Sequence, residues 1–227
     1  MNGIIFFNGW GMTEKNGSHL QNPQNYEFIH INFPYKLNTK ILEKYEKLYF
    51  IGWSFGVFYM ALFISKNHNF FKNKKIYTVV INGIPHLTEK NILDKRVITL
   101  TYKNLCRENL KIFYSKAGIK NYTSDKNIEN LKTELKYFAE NCCPVNIHID
   151  KAFISSDDMI IKTEIQKKYY EKNEVSFTVI EGKHCIFNKI KNWKYFYERW
   201  GIIVDFDKNF ETYNKNAVVQ KQAAETL

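Results

Sequence analysis

Residues 48–56 read Leu-Tyr-Phe-Ile-Gly-Trp-Ser-Phe-Gly, and this stretch decides the fold. Four apolar residues, 48–51, predict a short buried strand. Residues 55–65 are apolar at helical spacing and predict a helix that starts at once. Gly52, Ser54 and Gly56 between them fit G-x-S-x-G. On such a strand-to-helix turn the serine Oγ is exposed, and the flanking glycines let neighbouring backbone pack closely. The helix also aims its first N–H groups at developing negative charge. The plain alternative is a glycine-rich turn with an incidental serine. The strand before it and the helix after it favour Ser54 as a nucleophile.

Outward from this turn the chain alternates. Strands are predicted over 3–7, 28–33, 76–81, 146–154 and 175–180, and helices over 39–47, 160–170 and 185–200. Alternation of this kind predicts an α/β fold with a mainly parallel sheet and helices on both faces. Residues 86–141 break the rhythm. They are dense in Lys, Asn and Glu and carry no buried-strand pattern, so they read as a helical cap inserted before the last strands. Such a cap lies over the carboxyl ends of the strands, where open α/β sheets bind ligands. The expected domain is 1–204. Residues 205–227 are polar, contain alanine, and read as a linker or the start of another unit.

A nucleophilic serine needs a base, and the base needs an orienting acid. The order expected on an α/β-hydrolase fold is Ser, acid, His. His184, in Val-Ile-Glu-Gly-Lys-His after the last strand, is the histidine placed to reach Ser54. The acid should follow the preceding strand, where Asp157 and Asp158 both stand. Asp158 has the better downstream pattern, and Asp157 stays open; whichever is not the acid suits a helix N-cap. Oxyanion donors are expected from the Phe55 N–H and from the loop Asn8-Gly9-Trp10-Gly11, whose glycines let backbone approach a substrate, with simple core packing the plain reading of Trp10.

Composition narrows the classes. The chain has 227 residues, 44% of them hydrophobic and 25% charged, as a single globular domain would. No run approaches the roughly 18 apolar residues of a spanning helix, and the N-terminal apolar run lacks a basic leader. The expected location is the cytoplasm. The formal charge of +10 rests almost wholly on lysine, since only Arg96, Arg107 and Arg199 are arginines. This looks like the codon bias of an AT-rich genome, and by itself it does not imply nucleic-acid binding. Cys106, Cys142, Cys143 and Cys185 match no zinc spacing and are expected to be reduced and structural.

The pairing of Phe-Phe-Asn-Gly-Trp-Gly-Met (6–12) with Ile-Gly-Trp-Ser-Phe-Gly (51–56) resembles the BioG family of pimeloyl-acyl-carrier-protein methyl ester esterases, over roughly residues 1–203. The Gly-Trp-Gly is also similar to the His-Gly-Trp-Gly of BioH esterases, with Asn8 in place of the histidine. The resemblance implies a cofactor-free serine carboxylesterase of biotin synthesis. It would release methanol and leave pimeloyl-acyl carrier protein. It also implies Ser54 as nucleophile, His184 as base, Asp158 as acid, and Trp10 and Phe55 as oxyanion donors. A thioesterase or a general short-chain carboxylesterase would use the same triad, and a non-catalytic hydrolase-fold module is the competing class. The implied partner is an acidic acyl carrier protein. Lys103, Arg107 and Lys111 recur every four residues and are expected on one helix face as its binding surface. Phe210, Tyr213, Ala217, Gln220, Ala224 and Leu227 resemble the first helix of BioC-type methyltransferases, which would make the chain the esterase part of a fusion.

Overall fold

The computed structural model describes residues 1–22, 24–86, 95–119 and 124–196. Six strands form one sheet in the order β2-β1-β3-β4-β5-β6. They are β1 (Asn2–Phe7), β2 (Tyr26–Ile31), β3 (Lys47–Trp53), β4 (Lys75–Ile81), β5 (Lys151–Ser155) and β6 (Phe177–Ile180). Every pairing is parallel. Parallel strands covered on both faces need apolar residues at consecutive positions. Accordingly Ile4, Ile5, Phe6, Phe7, Phe50, Ile51, Val79, Val80 and Ile81 are all fully buried. Helix α1 (Phe55–Lys66) follows β3 directly, and the short α2 (His68–Phe71) returns the chain to β4.

Between β4 and β5 the described residues form helices α3 (Lys95–Asn104), α4 (Arg107–Ala117) and α5 (Ile128–Asn141). This is the inserted helical segment expected over 86–141, except that 87–94 and 120–123 lie outside the described residues. Helix α6 (Thr163–Lys172) joins β5 to β6.

Three sequence expectations give way to tertiary pairing. Of the helix expected over 39–47, only a 3₁₀ turn at Thr39–Leu42 forms. Lys47 must already be extended to pair with Asn2, and the Lys74 ammonium donates to the carbonyls of Leu42, Glu43 and Tyr45 at 3.0–3.3 Å. The strand expected over 146–154 begins only at Lys151. Just before it, the Asp150 carboxylate accepts Thr78 N–H at 2.7 Å, so a side chain takes the place of a strand carbonyl. Of the helix expected over 185–200, the described part, 185–196, forms 3₁₀ turns at Phe187–Lys189 and Trp193–Phe196 instead. There Gln21 N donates to Lys191 O (3.1 Å) and Trp193 N to Gln21 O (3.2 Å), which takes both groups away from a helix.

The chain divides into two units, Met1–Phe196 and Tyr197–Leu227. The second unit, and with it the expected tail at 205–227, lies outside the described residues.

Candidate active site

Chain order and strand order together create the site. From β1 the chain moves to one side, to β2, and then crosses to β3 on the other side. At such a reversal the loops leaving neighbouring strand ends diverge and open a crevice. Phe7 pairs with Gly52, so the loop after β1 and the turn after β3 lie side by side.

Ser54 sits on that turn at φ 55°, ψ −125°, a strained conformation for a residue with a side chain. Its N–H donates to Ile81 O at 3.0 Å. Its side chain makes no capping bond to α1, which leaves Oγ uncommitted to the helix. The flanking glycines are sterically required. A Cβ at Gly56 would lie 2.1 Å from Phe7 O, and one at Gly52 would lie 2.7 Å from Val57 Cα. Phe55 opens α1, so its N–H is among the helix's N-terminal donors that lack an intrahelical acceptor.

His184 follows β6 and is 1% exposed. Its Nδ1 lies 2.8 Å from Asp158 Oδ2. The other Asp158 oxygen accepts Ile160 N–H (2.8 Å) and Ile161 N–H (2.9 Å), while Gln166 Nε2 donates to Oδ2 at 2.9 Å. The carboxylate is thus held from its own loop and from α6, and it fixes the imidazole with Nε2 as the outward nitrogen. Asp157, the alternative, is exposed. The His184 carbonyl accepts from Trp53 Nε1 (3.1 Å) and Asn82 Nδ2 (2.6 Å), which clamps the histidine backbone to the ends of β3 and β4.

A direct Ser54–His184 hydrogen bond, expected for this pair, is not formed: His184 Nε2 has no hydrogen-bond partner. Both residues line the same cavity. A rotamer change moves a serine hydroxyl, and nucleophile–base contacts commonly close only when substrate binds. Cys185, next to His184, is buried, and burial pushes its thiol up to about 12. It is therefore no thiolate nucleophile at neutral pH.

The cavity, about 450 Å³, is walled by apolar side chains of the core and of α3–α5, a size usual for small-molecule clefts. Gly9 and Trp10 border it beside Ser54. A Cβ at Gly9 would lie 3.1 Å from Ser54 Cβ, which shows how closely that loop approaches the serine. The Trp10 indole packs edge-on against Phe113 and donates to Leu131 O at 3.0 Å. Val97, Leu100, Ile112 and Met159 line the cavity yet are half exposed, so they form its rim.

The charged surface needs a correction. Lys103 lies in the last turn of α3, whereas Arg107 and Lys111 lie on α4. The expected single helix face is broken at Leu105 and Cys106. Leu105 is buried, and Cys106 caps α4 by accepting Asn109 N–H through sulfur (3.5 Å). All three cations are exposed.

Two contributors were not legible in the sequence. Asn82 passes for an ordinary turn residue after β4, and Gln166 for a polar helix position. Both matter only because distant residues meet them. An Asn-Gly pair at a strand end was the one available hint for Asn82.

Among curated proteins the chain has no match. In structure it is similar to BioG from Haemophilus influenzae, at 19% identity and a TM-score of 0.74, covering 88% of this chain and 94% of that one. An esterase from Exiguobacterium antarcticum aligns at 12% identity and 0.61, over 83% and 87%. A thioesterase of the prodiginine pathway in Streptomyces coelicolor aligns at 13% and 0.52, over 83% and 84%. At these identities the likeness establishes the α/β-hydrolase fold. The model of the family "Pimeloyl-ACP methyl esterase BioG" matches residues 1–196, and the chain therefore belongs to the BioG family, serine esterases that hydrolyse the methyl ester of pimeloyl-acyl carrier protein.

Proposed function

We propose that Ser54, His184 and Asp158 perform this hydrolysis. Ser54 Oγ attacks the methyl ester carbonyl while His184 Nε2 takes its proton. The oxyanion rests on the Trp10 and Phe55 N–H groups. Collapse expels methanol, protonated by His184. Water, deprotonated in turn by His184, then cleaves the acyl-enzyme and leaves the free pimeloyl carboxylate. The observation that carries this reading is the Asp158–His184 bond of 2.8 Å, which turns a bare Nε2 away from the acid in a cavity shared with Ser54. Labelling with a fluorophosphonate should mark the wild type and not Ser54→Ala. Product analysis on methyl pimeloyl-carrier protein should find methanol and an intact thioester; free carrier thiol would instead support a thioesterase.

Lys103, Arg107 and Lys111 serve, in this reading, as the docking surface for the acidic carrier. They are exposed on the two helices that also give Leu100, Asn109 and Ile112 to the cavity. For residues 205–227 the reading is a link to a methyltransferase. The family match stops at residue 196, and truncation after 204 should leave ester hydrolysis unchanged.

A further inference from the structure

We infer that Glu134, on cap helix α5, is a positioning residue that holds the oxyanion loop in register with Ser54. This rests on the reading of the Trp10 N–H as an oxyanion donor. Glu134 is 1% exposed. Its Oε1 lies 3.2 Å from Gly11 N and 3.2 Å from Tyr35 Oη, and its Oε2 lies 2.9 Å from Lys126 Nζ. Tyr35 Oη is also 2.9 Å from Asn8 O. The carboxylate thus holds Gly11 directly and meets Tyr35, whose one hydroxyl proton is shared between it and Asn8 O at the start of the loop.

The loop has a soft point that needs such a hold. Gly11 stands at φ +71° beside Trp10, and glycine there has little conformational preference of its own. The cap supplies the restraint. Besides Glu134 on the Gly11 N–H, Ser124 Oγ donates to Gly11 O (3.1 Å), and the Trp10 indole donates to Leu131 O (3.0 Å). The cap thus holds the Trp10 side chain and the backbone of Gly11, while Met12 N donates to Gly9 O (3.2 Å) within the loop and Asn8 N to Ile31 O (3.0 Å) at its start. The buried Gly11 N–H needs an acceptor, but nothing in that need calls for a charged one. Replacing a buried ion pair by apolar residues of similar volume is often neutral or stabilising. Burial raises the Glu134 carboxyl above its ordinary range, opposed by Lys126.

The test is the pair Glu134→Leu with Lys126→Met, which removes the acceptor without stranding a charge, beside Glu134→Gln, which keeps an acceptor oxygen. Loss of alignment of one oxyanion donor predicts a kcat roughly 10–100-fold lower for the double variant. The loss should be alike on the carrier-bound ester and on a p-nitrophenyl ester, with KM within about threefold, the variant folded, and its Tm lowered by no more than the unpaired Gly11 N–H accounts for. Glu134→Gln should recover most of kcat. A folded double variant with wild-type kcat, or one with only a raised KM, overturns the role. A crystal structure of the wild type with a trifluoromethyl ketone adduct separates the premise from the inference. An adduct oxygen away from the Trp10 N–H overturns the oxyanion assignment and the inference with it. An oxygen on that N–H, with wild-type kcat in the double variant, overturns the positioning role alone.

Discussion

At Gly56 there is room for a hydrogen and nothing more. A methyl group there would approach the Phe7 and Asn8 carbonyl oxygens to 2.1 and 2.6 Å, and backbone cannot yield as a side-chain tip can. Gly56→Ala should therefore cost about 3 kcal/mol or more, read as a fall in Tm. An unchanged Tm would mean that β1 and α1 separate more easily than their packing implies. The two aspartates offer a contrast at the same scale. Asp158 holds the imidazole, while Asp157 faces solvent and uses its N–H on Gly182 O at 2.8 Å. Asp158→Asn should lower kcat by about 10³–10⁴ through the wrong tautomer, and Asp157→Asn should stay within about threefold. Comparable losses from both would mean that the loop, and not one carboxylate, supports His184.

Strand β2 carries a histidine among aromatic rings. The His30 ring lies 4.5 Å from Phe28, 5.8 Å from Phe6 and 6.4 Å from Trp193, centre to centre. Burial lowers its pKa from 6.5 to about 4, partly opposed by Glu14. Between those values the unfolded chain binds a proton that the folded one refuses. Stability present above pH 6.5 is then lost as pH falls towards 4. The Tm of the wild type should drop across that window more steeply than the Tm of His30→Phe. Parallel curves would locate the acid sensitivity elsewhere. The α3–α4 break has an element-scale meaning of its own. It turns one expected helix face into two short helices separated at the buried Leu105, with Lys103 on one and Arg107 and Lys111 on the other.

For the molecule as a whole, charge acts on encounter more than on chemistry. An acidic carrier should be steered by Lys103 and Arg107 in a salt-dependent way. Lys103→Glu with Arg107→Glu is expected to lower kcat/KM on the carrier-bound ester well over tenfold and to leave a p-nitrophenyl ester nearly unchanged. Equal losses on both would point to damage in the cap, and no loss on either would place docking on another face. Among the described residues no helix is long and apolar enough to cross a membrane.

The elements most legible in the sequence are those whose reason is local. Ile4–Phe7 and Phe50–Ile51 announce buried parallel strands because each residue must be apolar whichever face it meets. Gly52, Ser54 and Gly56 announce the tight turn because few other residues fit its backbone. Ser54, Asp158 and His184 stand out as candidates because each stands at a strand end in the order this fold uses. What the chain could not reveal one residue at a time depends on partners far away in sequence. The early end of the 39–47 helix came from Lys74 and the ladder to Asn2. The lost helix after His184 came from pairing with Gln21. Gln166, Asn82 and Glu134 owe their roles to groups 8 to 123 positions away. Local propensity is a matter of fractions of a kcal/mol per residue, and a buried polar group left without its partner costs more, so at these places the tertiary contact prevails.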